Sequence, residues 1–296
     1  MVNIVGDSSS GKTLLAMEAA MQYGLRYPDR PIYYNETESA FDDAYAEALG
    51  MRMDRIVFPG EEYPDARMHV EGLFEDLDRR LSEIEDGGLY IVDSLDALSD
   101  TAELGRKIGD ASMGGARKAS KLSELFRRLV RRMEDRNLTL IVISQIRDNI
   151  GVAFGEKHKR SGGRAMDFYA TQIIWLGERG KIKRVVDKVE RQVGIKVQAH
   201  VKKNKVGRPF QKVEFPILFY YGIDDVSAAI QWLHGIGYDL SEFEIPEKRM
   251  DSYVRQLLYR GDRERVDDLR ARITPILVEQ WRSVEAKFQV RGKYHG

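Results

Sequence analysis

Apolar residues recur along the first two-thirds of the chain in two alternating rhythms. Short unbroken runs (Val2–Val5, Pro31–Asn35, Ile56–Phe58, Leu89–Val92 and Leu138–Ser144) read as strands buried on both faces. Between them lie apolar residues three and four apart, the spacing of an amphipathic helix. One set is Leu14, Leu15, Met17, Ala20 and Met21, ending near Gly24 and Pro28. Ala40–Leu49 is a second, closed by Gly50; Met68, Leu73, Phe74, Leu77, Leu81 and Ile84 form a third, ended by Gly87 and Gly88. Leu122, Leu125, Phe126, Leu129, Val130 and Met133 form the fourth and most regular. This alternation predicts an α/β fold with a mostly parallel twisted sheet flanked by helices.

Further along, the rhythm changes. Gln172–Leu176 is another strand, and Lys181–Lys203 carries two Val/Ile-rich runs around Gln192–Gly194 that predict a hairpin. Lys212–Phe219 is a further strand. From about Ser227 strands disappear, and Met250–Tyr259 and Arg263–Phe288 read as helices separated by Gly261, the second kinked by Pro275. The expected organisation is a core over residues 1–225 and a helical C-terminal region over residues 226–296. Trp232 and Trp281 belong to no motif, and core packing is the expectation for both.

Composition narrows the function classes. The chain has 296 residues and no cysteine, which excludes disulfide frameworks and cysteine-bound zinc or iron–sulfur sites and fits a reducing cytoplasm. The five histidines are scattered, so no metal beyond a nucleotide's own Mg²⁺ is expected. No apolar run approaches the roughly 18 residues of a membrane span, and no signal peptide precedes the first strand. Lys plus Arg and Asp plus Glu each number 47. That balance hides a dipole: acids dominate from Asp29 to Glu103, whereas Lys181 to Lys212 holds eleven Lys or Arg against Asp187 and Glu190.

The chemistry begins at the first strand. Gly6-Asp7-Ser8-Ser9-Ser10-Gly11-Lys12-Thr13 fits G-x-x-x-x-G-K-[ST] between an apolar strand and an apolar helix. The glycines let backbone N–H groups curl around a β-phosphate at the positive end of the helix. Lys12 reaches the β- and γ-phosphates, and the Thr13 hydroxyl ligates Mg²⁺. Asp93, ending the strand Leu89–Val92, completes the Mg²⁺ shell. ATP with Mg²⁺ is thus the expected cofactor pair. Glu36 and Glu38 both follow the second strand, and spacing does not choose which of them activates the attacking water.

Two glycine-punctuated loops, at about 105–117 and 147–165, carry isolated apolar side chains among cations. Met113 is the only large apolar tip of the first; Ile150, Val152 and Phe154 lie in the second, which runs on to Gly162, Gly163 and Arg164. Such loops suit insertion between the bases of a single strand.

Taken in order, GDSSSGKT, ETESAFDDAYAEALG, YIVDSLDAL, IGDASMGG, SQIRDNIGVAFG, SGGRAMDFYA and VKKNKVGRPFQKVEF resemble bacterial RecA and phage RecA-like strand-exchange recombinases, over roughly residues 2–223. The resemblance implies that Glu38, not Glu36, activates the water. It implies that Asp42 and Tyr45 bind and stack on adenine, and that Gln145 senses the γ-phosphate and couples it to the following loop. It makes the Met113 and Ile150–Phe154 loops DNA-binding, with phosphate contacts from Arg117 and Arg147, and sends Lys203 and Lys205 to a neighbouring subunit's γ-phosphate. Single-stranded and duplex DNA, and self-association into a filament or ring with ATP at subunit interfaces, are the implied partners. Family members carry a polymerising helix and strand ahead of the core; here the first strand begins at Val2, so that element is expected to be missing. The tail after Ser227 does not match the family's C-terminal domain, and a compact phage-encoded member would suit the chain. A ring-shaped helicase or branch-migration motor on the same core, and a non-catalytic annealing or mediator protein, stay open beside a DNA-dependent ATPase that exchanges strands.

Overall fold

The computed structural model describes residues 1–105, 114–148, 158–160 and 162–290. The chain divides into two compact units, the first comprising residues 1–180, 197–213 and 220–222, the second 181–196, 214–219 and 223–296.

In the first unit, strand β1 (Val2–Gly6) leads into helix α1 (Lys12–Arg26), and β2 (Ile32–Glu36) into α2 (Asp43–Ala48). A short β3 (Ile56–Val57) precedes three helices, α3 (Pro59–Glu62), α4 (Asp65–Met68) and α5 (Val70–Glu83). Then come β4 (Gly88–Asp93), α6 (Thr101–Leu104), α7 (Gly114–Asp135), β5 (Leu138–Asp148), β6 (His158–Arg160) and α8 (Gly163–Tyr169). Strands β7 (Gln172–Val186), β8 (Val189–Asn204) and β9 (Lys212–Leu218) run through both units, and β10 (Gly222–Ile223) follows. The first unit's strands are ordered β8-β7-β1-β5-β4-β2-β3, with parallel pairing from β7 through β3, while β6 lies antiparallel to β5. This is the α/β fold with a mostly parallel sheet that the alternating pattern predicts.

Periodicity becomes packing in α5 and α7, although Met68 ends α4 and is 48% exposed, outside the stripe it was expected to begin. Leu73, Leu77 and Leu81 of α5 and Leu122, Leu125, Phe126 and Leu129 of α7 are buried in one cluster with Tyr90 and Val92 of β4 and Leu140 and Val142 of β5. Helix α2 is shorter than the Ala40–Leu49 pattern suggests. The Glu36 carboxylate accepts the backbone N–H groups of Glu38, Ser39 and Ala40 at 2.9, 3.0 and 3.1 Å, and Asp42 then caps the helix by accepting from Tyr45 N. A side chain that captures three successive donors holds those residues in a turn instead of a helix.

The hairpin expected around Gln192–Gly194 turns instead at Asp187-Lys188, both at positive φ (49° and 63°). Gly194 lies inside β8, where a Cβ would collide with the Ile217 carbonyl oxygen of β9 and come within 3.2 Å of the Leu218 Cα. The glycine marks a close strand approach, not a turn.

In the second unit, helix α9 (Asp225–Gly235), capped by Asp224 accepting from Ser227 N at 2.9 Å, was not evident from the pattern. It packs with α10 (Tyr253–Tyr259) and α11 (Arg263–Lys287) around Ile230, Leu233, Phe243, Val254 and Leu269. Helix α11 runs through Pro275 without ending. Trp232 packs against this core, whereas Trp281 is 45% exposed, against the expectation of core packing. Its helix extends past Ile273, the last buried residue of that cluster, and past Ile276 and Leu277, which still pack against it. No helix among the described residues is long and apolar enough to cross a membrane.

Candidate functional site

Parallel pairing brings the chemically active residues to one edge of the sheet. In register, Gly6 at the end of β1 lies beside Gln145 of β5 and Leu176 of β7, and Glu36 at the end of β2 lies beside Asp93 at the end of β4. Carboxyl ends of parallel strands that feed helices form the crevice where such folds bind ligands.

The loop Gly6–Thr13 bends sharply. Ser9 takes φ 61° and Gly11 φ 87°, a left-handed conformation open to glycine. At Gly6 a Cβ would sit 2.7 Å from the Leu176 carbonyl oxygen. No side chain caps the N-terminus of α1, so its first-turn N–H groups face the loop without an intrahelical partner. Asp7, Ser8 and Ser9 are exposed, and the buried Ser10 hydroxyl has no hydrogen-bond partner. Lys12 is buried and its Nζ donates to the Asp7 carbonyl oxygen at 2.6 Å. Burial lowers its pKa, opposed by the negative charges of Asp93, Glu38, Asp7 and Asp96. Unpartnered amide donors beside a lysine are groups that can hold a polyphosphate.

Asp93 accepts from the Tyr34 hydroxyl at 2.8 Å and from the Thr13 hydroxyl. Burial raises its pKa, those two hydrogen bonds lower it, and Glu38 and Glu36 raise it further. Glu36 is fully engaged: besides the three N–H groups of the turn, it pairs with Arg67 at 3.0 Å, and its own carbonyl accepts from Arg67 Nε at 2.7 Å. Glu38 is exposed; its carboxylate accepts from the Ser94 hydroxyl and from Gln145 Nε2 at 2.9 Å. Gln145 is fixed at its backbone too, where its N–H donates to Asp96 at 2.6 Å. Ser94 and Asp96 carry no motif signal of their own, because the partners that give them meaning lie about fifty residues away.

Other expected residues fall elsewhere. Asp42 and Tyr45 open α2, where Asp42 serves as a cap and the Tyr45 ring meets Tyr220 edge-on at 5.9 Å. Tyr220, at φ 63°, is an exposed aromatic that no sequence pattern singled out. Lys203 and Lys205 share no described hydrogen bond with the phosphate loop: Lys203 donates to the Asp167 and Phe168 carbonyls, and Lys205 to the Phe168 carbonyl at 3.2 Å, capping the carboxyl end of α8. Burial, then Lys205, lowers the Lys203 pKa.

Gly162 caps the amino end of α8 at φ 81°, followed by Gly163 and the exposed Arg164. Arg117 is exposed on α7, and the backbone of Arg147 in β5 pairs with Lys159. Met113, Ile150, Val152, Phe154 and the side chain of Arg147 lie outside the described residues. Lys118 of α7 donates to the carbonyls of Leu95 (2.7 Å) and Leu98, tying the helix to the loop that carries Asp96.

Residues 1–224 match the family model of the RecA N-terminal domain. Protein RecA of Colwellia psychrerythraea is 32% identical over 231 residues, covering 78% of this chain and 63% of that protein. DNA repair protein recA homolog 1, chloroplastic, of Arabidopsis thaliana is 30% identical over 272 residues, covering 91% of this chain and 57% of that protein. The chain thus spans about three-fifths of the length of the curated relatives it matches.

Proposed function

The chain belongs to the RecA family, and from that membership we propose that it is a DNA-dependent ATPase that assembles on single-stranded DNA and promotes homologous pairing and strand exchange. The observation that carries the reading is the Glu38 carboxylate, held between Ser94 and Gln145 at the edge that bears Gly6, Lys12 and Asp93. In this reading Lys12 and the first-turn amides of α1 hold the phosphates of ATP, and Glu38 takes a proton from the attacking water. Thr13 and Asp93 offer one neutral and one anionic oxygen already in hydrogen-bond contact, a hard-oxygen pair that fits Mg²⁺. That ion would supply neutralisation of charge on the β- and γ-phosphate oxygens. Asp42, Tyr45 and, beside them, Tyr220 take the adenine.

Gln145 is the link to DNA. Its amide exchanges Glu38 for the γ-phosphate, and its strand continues directly into the segment 147–165, where Arg147, Ile150, Val152, Phe154, Gly162, Gly163 and Arg164 contact the strand together with Met113 and Arg117. Lys203 and Lys205 deliver positive charge to the γ-phosphate of the neighbouring subunit.

The test combines imaging and turnover. With single-stranded DNA and a non-hydrolysable ATP analogue, electron microscopy is expected to show helical filaments, and DNA is expected to stimulate hydrolysis. Glu38→Gln should retain nucleotide and DNA while hydrolysis falls by about a hundredfold or more. Closed rings would point to a motor, turnover without DNA stimulation would sink the recombinase reading, and wild-type hydrolysis by Glu38→Gln would remove its assigned role.

A further inference from the structure

Arg160, the last residue of β6, has a side chain only 6% exposed and reaches three elements at once. Its backbone pairs with Ile146 of β5, next to Gln145. One guanidinium nitrogen donates to the Asn3 side-chain carbonyl on β1, and the other to the Asp167 carboxylate on α8. Asn3 is itself fully buried and spends its amide N–H groups on the Val142 carbonyl and the Ser144 hydroxyl, both at 2.9 Å. Asp167, through its backbone carbonyl, is one of the seats of Lys203.

A continuous polar path therefore runs from the strand that feeds the phosphate loop, through Arg160, to the helix end that carries the lysine pair. It touches β5 on either side of Gln145, at Ser144 through Asn3 and at Ile146 through the backbone of β6. Burying a guanidinium is costly unless its donors are paired, so these partners specify one placement of β6 relative to β1 and α8. Arg160 touches neither the phosphate loop nor Glu38 among its described contacts.

We propose that Arg160 is a positioning residue that couples the nucleotide site to the DNA-binding segment and to the Lys203/Lys205 pair, setting how strongly DNA stimulates hydrolysis. This rests on the recombinase reading above. Arg160→Gln keeps a donor for Asn3 and loses the ion pair with Asp167. Arg160→Lys keeps the charge and loses the fork. Asp167→Asn, at an exposed carboxylate, perturbs the same link from the other side and threatens folding least.

The measurements are nucleotide affinity by a fluorescent ATP analogue, DNA-free hydrolysis, and the single-stranded DNA concentration giving half-maximal stimulation. Arg160→Gln is expected to raise that concentration about tenfold, with Arg160→Lys and Asp167→Asn between it and wild type, while nucleotide affinity and DNA-free hydrolysis stay within about twofold. Should Arg160→Gln not fold, Asp167→Asn alone decides, with an expected rise of about threefold. Unchanged DNA dependence in the variants overturns the coupling, as does a loss of nucleotide affinity in equal proportion, which would mark Arg160 as merely structural. If the wild-type chain shows no DNA stimulation, the recombinase reading fails first and the inference with it.

Discussion

Glu36 and Glu38 have the same side chain, two residues apart, and the fold gives them opposite tasks. Glu36 is buried and spends its oxygens on three backbone N–H groups and Arg67, whereas Glu38 is exposed and faces Ser94 and Gln145. Alternation along β2 could not separate them, because the difference lies in Arg67 and Gln145, distant in sequence. The phosphate loop and Asp93 were legible because their signal is local: a strand, a glycine-framed turn and a helix start within twelve residues. Ser94, Asp96 and Arg160 were not, since each is defined by a partner far along the chain.

Asp93 gives a prediction at the same scale. Its pKa is raised by burial, so it contributes stability below the unfolded carboxylate pKa that is lost as pH rises through the folded value. At neutral pH the ionised group therefore weakens the nucleotide-free fold. Asp93→Asn, which keeps an acceptor for Tyr34, is expected to stabilise that form by about 1 kcal/mol at pH 7, with the gain shrinking toward pH 4, while Mg²⁺-dependent hydrolysis is lost. Thermal unfolding of both proteins across that range checks it; an Asn variant less stable than wild type at pH 7 would contradict it.

Among the elements, helices with a long apolar stripe were largely legible, and Gly50, Gly87 and Gly261 mark boundaries at positive φ as expected, but Gly194 does not. α5 and α7 bury most of the residues their spacing selects, with Met68, which ends α4, the exception. Gly194 looked like a turn because glycine has two uses, tight turns and close backbone approach, and a single sequence does not say which operates. The actual turn uses Asp187 and Lys188 at positive φ, which no glycine advertises. Gly194→Ala should cost about 1–3 kcal/mol, because neither the Ile217 carbonyl nor the β9 backbone can withdraw cheaply. Gly180→Ala, in β7 with nothing within 4 Å of its Cβ position, should be close to neutral. Urea unfolding of the pair measures the contrast, and equal stability of the two variants would refute the close-approach account.

At the scale of the molecule, a net charge of zero conceals an acidic early segment and a basic later one, and the role proposed for the lysine pair requires a second copy. The resemblance over residues 2–223 and the family match over residues 1–224 coincide, so the core's identity was legible; α9 was not, because its cap at Asp224 and its apolar residues sit where the strand pattern gives way. If Lys203 and Lys205 act across an interface, a Lys12→Ala subunit and a Lys203→Ala/Lys205→Ala subunit, each inactive alone, should recover activity when mixed. Random mixing of a head-to-tail assembly leaves about one interface in four with an intact phosphate loop facing intact lysines. DNA-stimulated hydrolysis no higher than the sum of the separate variants would place the lysines outside the neighbour's site. The seat those lysines occupy in a single chain, the carboxyl end of α8, has a consequence for cellular economy. If the pair acts in trans as proposed, a lone protomer, whose cations rest on its own helix, would be held in reserve and burn its fuel fully only when neighbours line up along a strand.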